Sequence, residues 1–282
     1  LHVRRLEHAD GVAPGEAAPR PLRLPPALDP DERLVTPGWT LLGGDPGSPS
    51  QAPRQRAWVD GFVMRRFPVT NRAYLAFLDA LAARGDAEEA LRLAPREKGP
   101  SYDRPGRCLY GFDGARFSLV PDAEGHTWGL DWPVMMVTWA GAQAYAAWCA
   151  ARDGLPWRLP REDEWERAAR GADGRWFPWG SFLDPTWALY RESWPAGATM
   201  LPMPVDTFPG DESPFGVRGL AGGIRELVTN VWGGPTEHFR GFPALRGGAW
   251  NSAHQLVRAA TRSASDPRDT NASVGFRLVR PY

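Results

Sequence analysis

Apolar side chains recur at helical spacing after residue 70. Tyr74, Phe77 and Leu81 lie three or four positions apart, so they share one face of a helix. Thr70 precedes this stripe and is a residue type that caps helix N-termini, while Gly85 supplies a stop after it. The pattern predicts an amphipathic helix of about four turns between these two residues.

Two later segments have the same period. The first runs from about residue 139 to 152, carries Cys149 on its apolar face and ends at Gly154. The second spans residues 162–170 and stops at Gly171, and the acidic residues in its first turns complement the positive end of the helix dipole. Cys149 is accordingly predicted to be a small buried hydrophobe rather than a reactive thiol.

Strand and turn signals occupy much of the remaining chain. Runs at residues 38–42 and 57–64 are typical of short strands. Turn formers dominate residues 171–248 and predict largely irregular structure there. Large aromatic residues such as Trp179 and Trp232 are spaced through that stretch, and we expect them to anchor its loops.

The composition indicates a folded protein without a strong long-range electrostatic field. The 282 residues are 43% hydrophobic, and 33 basic residues balance 33 acidic ones. This balance predicts neither a nucleic-acid partner nor attraction to an anionic membrane. The sequence also lacks an apolar run of about 20 residues, so no membrane insertion is expected.

The ends of the chain set the predicted domain limits. Residues 1–30 are rich in Ala, Pro and Arg, which predicts a lead-in or linker, and residues 31–282 are predicted to form one domain. We expect a cytoplasmic monomer. Because the chain begins at Leu1, export and an upstream domain such as a kinase remain open at this point.

The counts of four residue types narrow the class of fold further. Two cysteines, Cys108 and Cys149, lie far apart and form no C-x-x-C motif, so neither a disulfide scaffold nor a zinc site is indicated. Fourteen Trp, 31 Gly and 29 Pro residues describe a loop-rich fold held by aromatic side chains. We expect no cofactor and no metal.

Short motifs in a fixed order resemble the formylglycine-generating enzyme, or sulfatase-modifying factor, family. The resemblance extends over about 240 residues and implies an α+β, C-type-lectin-like fold that is rich in loops. It also implies small twisted antiparallel sheets with two to three helices. The motifs are Val69–Asn71, Trp132–Val134, Trp157–Pro160, Glu164–Glu166, Phe177–Gly180, Ser213–Gly216, Leu220–Glu226, Arg246–Trp250 and Gly275–Arg277.

The resemblance also shows which catalytic groups this chain lacks. In the active enzymes a copper-binding cysteine pair follows the Gly-Gly motif, and the same count from Gly248 falls on Ser252 and then on Val257. Neither side chain offers the soft thiolate that binds copper(I). The sequence has no cysteine after Cys149, so no catalytic residue is predicted and the formylglycine-generating reaction is not expected.

Two metal sites of the family are incomplete as well. The sulfoxide-synthase branch needs an iron site from a His-x-x-x-His-x-Glu helix, and the five histidines here show no such spacing. The family's calcium segment aligns with residues 219–226, where Gly219 and Gly223 stand at ligand positions and Glu226 is the one plausible carboxylate. One carboxylate supplies too few ligands for calcium, which takes six to eight oxygens.

A window of small polar residues, 250–273, lies between the last two motifs. Arg258 and Arg262 within it are expected to hold loops through forked hydrogen bonds. Most other polar positions fit codons of the type NNC or NNT, a pattern that resembles the variable proteins of diversity-generating retroelements. The predicted ligand-binding residues are Trp250, Asn251, Ser252, Ala253, His254, Thr261, Ser263, Ala264, Ser265, Thr270, Asn271, Ala272 and Ser273.

Two hypotheses of function have equal weight at this stage. In the first, the chain is a non-catalytic module that binds an unidentified protein or other macromolecule through an exposed, retroelement-diversified window. In the second, it is an ordinary non-enzymatic member that serves as a sensory or docking domain of a bacterial Ser/Thr kinase. A metal-dependent oxidase is a third alternative, but His254 has no recognisable nucleophile partner and is expected to be a surface histidine.

Overall fold

Three helices lie where the sequence predicts them. The computed structural model describes residues 2–3, 20–21, 25, 27–101, 104, 106–234 and 237–282. Helix α1 starts after Thr70, whose hydroxyl caps the first turn, and α3 ends at Gly154, which has a left-handed φ of 65°. The helices are α1 Asn71–Ala83, α2 Ala87–Leu93, α3 Trp139–Asp153 and α4 Glu162–Arg170, with short 3-10 helices at Arg191–Ser193, Glu237–Phe239 and His254–Val257.

Helix α2 was not predicted from the sequence. It buries just two side chains, Ala90 and Leu93, so its apolar stripe is too short to be recognised by period alone. The carbonyl of Leu93 accepts a hydrogen bond from the hydroxyl of Tyr74, which fixes α2 against α1. The described residues therefore contain four α-helices, one more than expected.

The strands are short and distributed among several sheets. The predicted run at 57–64 is divided between two strands of different sheets, because the chain turns at Asp60 and Gly61. The strands are β1 His2–Val3, β2 Arg20–Pro21, β3 Glu32–Val35, β4 Gly38–Leu42, β5 Gln55–Val59, β6 Phe62–Arg65, β7 Tyr110–Phe112, β8 Phe117–Leu119, β9 Arg225–Val231, β10 Pro243–Arg246, β11 Arg262–Ala264, β12 Val274–Gly275 and β13 Val279–Arg280.

A four-stranded sheet in the order β11-β10-β9-β12 is the largest sheet of the described residues. Its β12 strand runs parallel to β9, and the other pairings are antiparallel. A three-stranded antiparallel sheet has the order β13-β6-β3, and the pairs β1-β2, β4-β5 and β7-β8 complete the set. Strands β9 and β10 come from the stretch predicted to be irregular. That prediction was wrong there, because all four residues of β10 are buried and show no alternation.

The four-stranded sheet separates two parts of the core. Leu227 and Leu245 pack toward the cluster beneath α1 and α3, which also holds Cys149 as a buried side chain. Val228 and Ala244 pack on the other side, toward the cluster around Trp165 of α4. The predicted burial of Cys149 is therefore confirmed.

Two expectations concern the N-terminal region and membranes. The predicted lead-in at residues 1–30 lies largely outside the described residues, and the single domain over 31–282 stays a prediction. Within the part of the chain that the structure describes, no helix has both the length and the apolar character needed to cross a bilayer.

Gly248 marks a place where two segments touch at backbone distance. A Cβ atom added there would lie 2.5 Å from Cγ1 of Val257 and 2.7 Å from the carbonyl oxygen of Ala221. We expect Gly248→Ala to lower the free energy of unfolding by about 1–3 kcal/mol in urea denaturation, because backbone must move. In the control Gly233→Ala no described atom lies within 4 Å of the added methyl group. Equal stability of the two variants would contradict this close packing.

Candidate ligand-binding site

Acidic residues of α4 tie the four-stranded sheet to this helix. Glu162 accepts two hydrogen bonds of 2.7 Å from Arg262 on β11. Glu166 accepts a hydrogen bond of 2.7 Å from Arg246 on β10 and another from Arg170. These carboxylates therefore do more than complement the helix dipole: they position β10, which precedes the window, and β11, which lies within it.

A further ion pair, between Arg258 and Asp45, holds the middle of the window. Arg258 donates to both oxygens of Asp45, at 2.7 and 2.8 Å, and its guanidinium lies over the ring of Trp176. With the Arg262 pair, this confirms the forked hydrogen bonds predicted for both arginines. The window is thus fixed at two points to distant parts of the chain, the loop at Asp45 and the start of α4 at Glu162.

The two positions reached by the count from Gly248, Ser252 and Val257, are both buried. The hydroxyl of Ser252 accepts a hydrogen bond of 3.0 Å from the backbone N–H of Ala249, and this side chain is buried. Val257 is fully buried and packs with Phe177 and Tyr190 in a small apolar cluster. Neither side chain faces an opening in which a substrate could meet it.

Three predicted ligand residues belong to the interior. Ser252, Thr261 and Ser273 are 6%, 2% and 1% exposed, so the expectation that they contact a ligand at the surface is wrong. The hydroxyl of Thr261 is hydrogen-bonded to that of Ser48 at 2.7 Å. The hydroxyl of Ser273 donates to Asn271 Oδ1 and accepts from Arg225, both at 2.7 Å. These small hydroxyls close turns instead of reaching solvent.

The remaining predicted residues do not all lie on one face. Ser263 and Ala264 follow each other on β11 and point to opposite faces of the sheet, and Ala264 packs against the Trp165 cluster. The indole N–H of Trp250 donates to the carbonyl of Ala272, which joins the two ends of the window. His254 is exposed, and the others are half-buried: Trp250, Asn251, Ala253, Ser263, Ala264, Ser265, Thr270, Asn271 and Ala272.

His254 is a surface histidine, as the sequence predicts. Its Nδ1 lies 3.3 Å from Glu192 Oε1, and both side chains are open to solvent. The nearby hydroxyl of Ser252 is already engaged with backbone, so the pair lacks a nucleophile to activate.

A groove of about 580 Å³ lies beside the C-terminal half of the window. Residues 267–270 form one wall, and the segment 92–101 with the start of α3 at Thr138 and Ala140 forms the other. Sequence reasoning missed this groove because its walls are distant along the chain. The charged run at residues 96–98 was the one local signal.

A second groove, of about 610 Å³, lies between the start of α1 and the end of α3. Cys149 and Tyr145 line its floor, while Arg72 and Asp131 at its rim form an ion pair. Burial raises the pKa of Cys149, so its thiol stays protonated near neutral pH. This groove therefore offers no nucleophile through its cysteine.

A family model describes most of the chain. The sulfatase-modifying factor enzyme 1-like domain matches residues 23–282. The chain belongs to this family. The resemblance found in the short motifs is thereby confirmed.

Relatives with this domain include both inactive proteins and enzymes. Inactive C-alpha-formylglycine-generating enzyme 2 of Bos taurus is 28% identical over 256 residues, covering 83% of this chain and 81% of that protein. Hercynine oxygenase of Mycolicibacterium thermoresistibile is 32% identical over 250 residues, 78% of this chain and 51% of that protein. Serine/threonine-protein kinase Pkn1 of Chlamydia trachomatis is 27% identical over 259 residues, 84% of this chain and 36% of the kinase.

Solved structures share the fold. PvdO from Pseudomonas aeruginosa superposes with a TM-score of 0.67 at 19% identity, covering 89% of this chain and 94% of that one. Treponema denticola variable protein 1 has a TM-score of 0.60 at 15% identity, covering 89% and 95%. The predicted α+β, C-type-lectin-like fold is confirmed at this level.

The carboxylate in the family's calcium segment is already engaged in this domain. Glu226 accepts hydrogen bonds of 2.6 and 2.7 Å from Arg277 and one of 3.0 Å from the indole N–H of Trp165. Glu226 and Arg277 are both fully buried. Within the described residues, no three His, Cys, Asp or Glu side chains come together as a set of metal ligands.

A buried carboxylate supports the glycine-rich loop beneath the window. Asp211 accepts hydrogen bonds from the backbone N–H groups of Leu220, Ala221 and Gly222. The same loop accepts backbone hydrogen bonds from Gly248 and Trp250 at the start of the window. Burial raises the pKa of Asp211 to about 6, although these N–H groups oppose that rise.

The raised pKa of Asp211 gives a pH dependence with a definite sign. The folded state binds this proton more tightly than the unfolded state, whose pKa is near 3.8, so this group's contribution to stability falls as pH rises from about 4 to 6. We expect the stability of the wild type relative to Asp211→Asn to fall by about 1–3 kcal/mol over that range. Urea denaturation at each pH measures the difference, and carbon-13 NMR of the Asp211 carboxyl measures the midpoint. A midpoint near 4 would refute the prediction.

Proposed function

We propose that this domain is a non-catalytic module that binds a protein or another macromolecule through the solvent-facing positions of the window. One observation carries the proposal. By the count from Gly248, Ser252 and Val257 take the places of the copper-binding cysteine pair, and one is held by a backbone hydrogen bond and the other by apolar packing. Neither side chain supplies the thiolate that the formylglycine-generating reaction needs.

The support of the window fits a display role. Arg258 and Arg262 anchor its backbone through Asp45 and Glu162. Substitution of the solvent-facing side chains on either side of these anchors would change the surface and leave the anchors intact. The positions that remain in the proposed contact surface are Asn251, Ala253, His254, Ser263, Ser265, Thr270, Asn271 and Ala272.

Two versions of this function have separate support. The window is rich in amino acids that NNC or NNT codons can encode, and the fold of the chain is shared with Treponema denticola variable protein 1; both support a diversified binding protein. The similarity to Pkn1, which covers 84% of this chain but 36% of the kinase, supports a docking domain attached to a kinase. A cytoplasmic monomer fits both versions, and cell fractionation with light scattering tests that part.

Sequencing the gene from many cells of one population distinguishes the two versions. Diversification predicts substitutions concentrated at the NNC and NNT codons of residues 251–273, with a near-identical template repeat beside a reverse-transcriptase gene. A uniform window next to a kinase reading frame would reject diversification and favour the docking domain. Conversion of a cysteine peptide to formylglycine by the copper-loaded protein would overturn both versions.

A matched pair of threonines tests the division between scaffold and display positions. Thr261→Val leaves the buried hydroxyl of Ser48 without its partner, so we expect a loss of about 1–2 kcal/mol in the free energy of unfolding. Thr270→Val removes the same atom from a half-buried position at the groove, and we expect a change below about 0.5 kcal/mol. Thermal and urea denaturation measure both. A larger loss for Thr270→Val would contradict the display role of that segment.

A further inference from the structure

Four cationic side chains line the groove beside the window among the described residues, together with two acidic ones: Arg92, Arg96, Lys98 and Arg268 with Glu97 and Asp269. Three of these cations are already paired with carboxylates. Arg92 pairs with Glu89, Lys98 with Asp269, and Arg268 with Asp266. The groove therefore has no net excess of cations, and its attraction for an anion depends on which cation still has free donors.

Arg96 is the cation best placed to take a ligand. One of its terminal nitrogens donates to the carbonyl of Leu91 at 2.9 Å, which fixes the side chain against the end of α2. Among the described residues, no carboxylate forms an ion pair with it. A guanidinium that is held by a carbonyl alone retains donors for a carboxylate in forked geometry.

The two acidic residues of the groove are committed to other contacts. Glu97 accepts a hydrogen bond of 2.8 Å from the backbone N–H of Ala123. Asp269 lies 3.0 Å from the ammonium of Lys98 and accepts a hydrogen bond from Ser265. These contacts orient both carboxylates within the protein and reduce their repulsion of an incoming anion.

The start of α3 adds to the positive potential of this groove. Thr138 and Ala140, in the first turn of a 15-residue helix, line the wall opposite the window loop. The N-terminal end of a helix carries partial positive charge, which favours a negative group nearby. This contribution reinforces that of Arg96.

We propose that the groove binds an acidic segment of the protein ligand, with a carboxylate of that segment on Arg96. The inference rests on the proposed binding function and names the chemistry of the partner. Thr270 lines the groove and belongs to the window, so one ligand would contact both surfaces. The short groove and its two carboxylates do not suit a nucleic-acid backbone, which takes an extended basic surface.

A hexaglutamate peptide is the probe for this groove. We expect it to bind the wild-type chain in 0.15 M salt, with amide NMR shifts at Arg96, Ala140 and Thr270. Arg96→Glu should weaken binding at least 10-fold, because attraction is replaced by repulsion. Arg54→Glu is the matched control: Arg54 is exposed and lies outside the groove, so we expect a change within about 2-fold from its small long-range effect. Arg96→Lys should retain most of the affinity if charge dominates.

The outcomes separate this inference from the proposed function. Unchanged thermal stability of Arg96→Glu shows that a loss of binding comes from the groove. Failure of hexaglutamate to bind, or an equal loss in Arg54→Glu, would overturn the acidic-segment inference but leave the population sequencing test of the window untouched. Inorganic phosphate that produced the same amide shifts at equal affinity would identify a small-anion site instead. Equal binding of a ten-residue oligothymidine would point to unspecific charge attraction and would also overturn the inference.

Discussion

The guanidinium of Arg277 is fully enclosed and joins segments that are far apart along the chain. It binds both carboxylate oxygens of Glu226 and also donates to backbone carbonyls of Arg66, Arg218 and Gly219. A buried ion pair stabilises a fold poorly unless its other donors find partners, because desolvation is costly. Here carbonyls of two loops supply those partners. One interaction thus fixes the end of the four-stranded sheet against loops that have no regular ladder of their own.

Related ion pairs extend this arrangement to the window. Glu166 binds Arg246, Glu162 binds Arg262, and all four residues lie where α4 meets the four-stranded sheet. In a domain with short strands and long loops, such pairs take the positioning role that long hydrogen-bonded ladders have elsewhere. The backbone around the window is therefore held from beneath by charged side chains.

The packing around the window bears on chemistry as well. The family includes relatives named as inactive and relatives named as enzymes, so membership alone does not assign an activity. In this chain Val257 packs in an apolar cluster, and the hydroxyl of Ser252 accepts a hydrogen bond from the backbone. In the proposed function, recognition falls to the surface, where a groove lined by Arg96 adjoins the window.

Local sequence determined the helices α1, α3 and α4, because each combines an apolar period with a cap within a few residues. The absent thiols and the forked arginines could also be inferred from sequence, since residue type alone settles the first and fixes the geometry of the second. Tertiary structure decided which side chains of the window are buried and where the groove lies. Whether the hydroxyl of Thr261 reaches solvent or Ser48 depends on a contact across 213 positions, and the groove exists because residues near 96, 138 and 269 meet. Such contacts follow from the packing of distant segments, which no local pattern encodes.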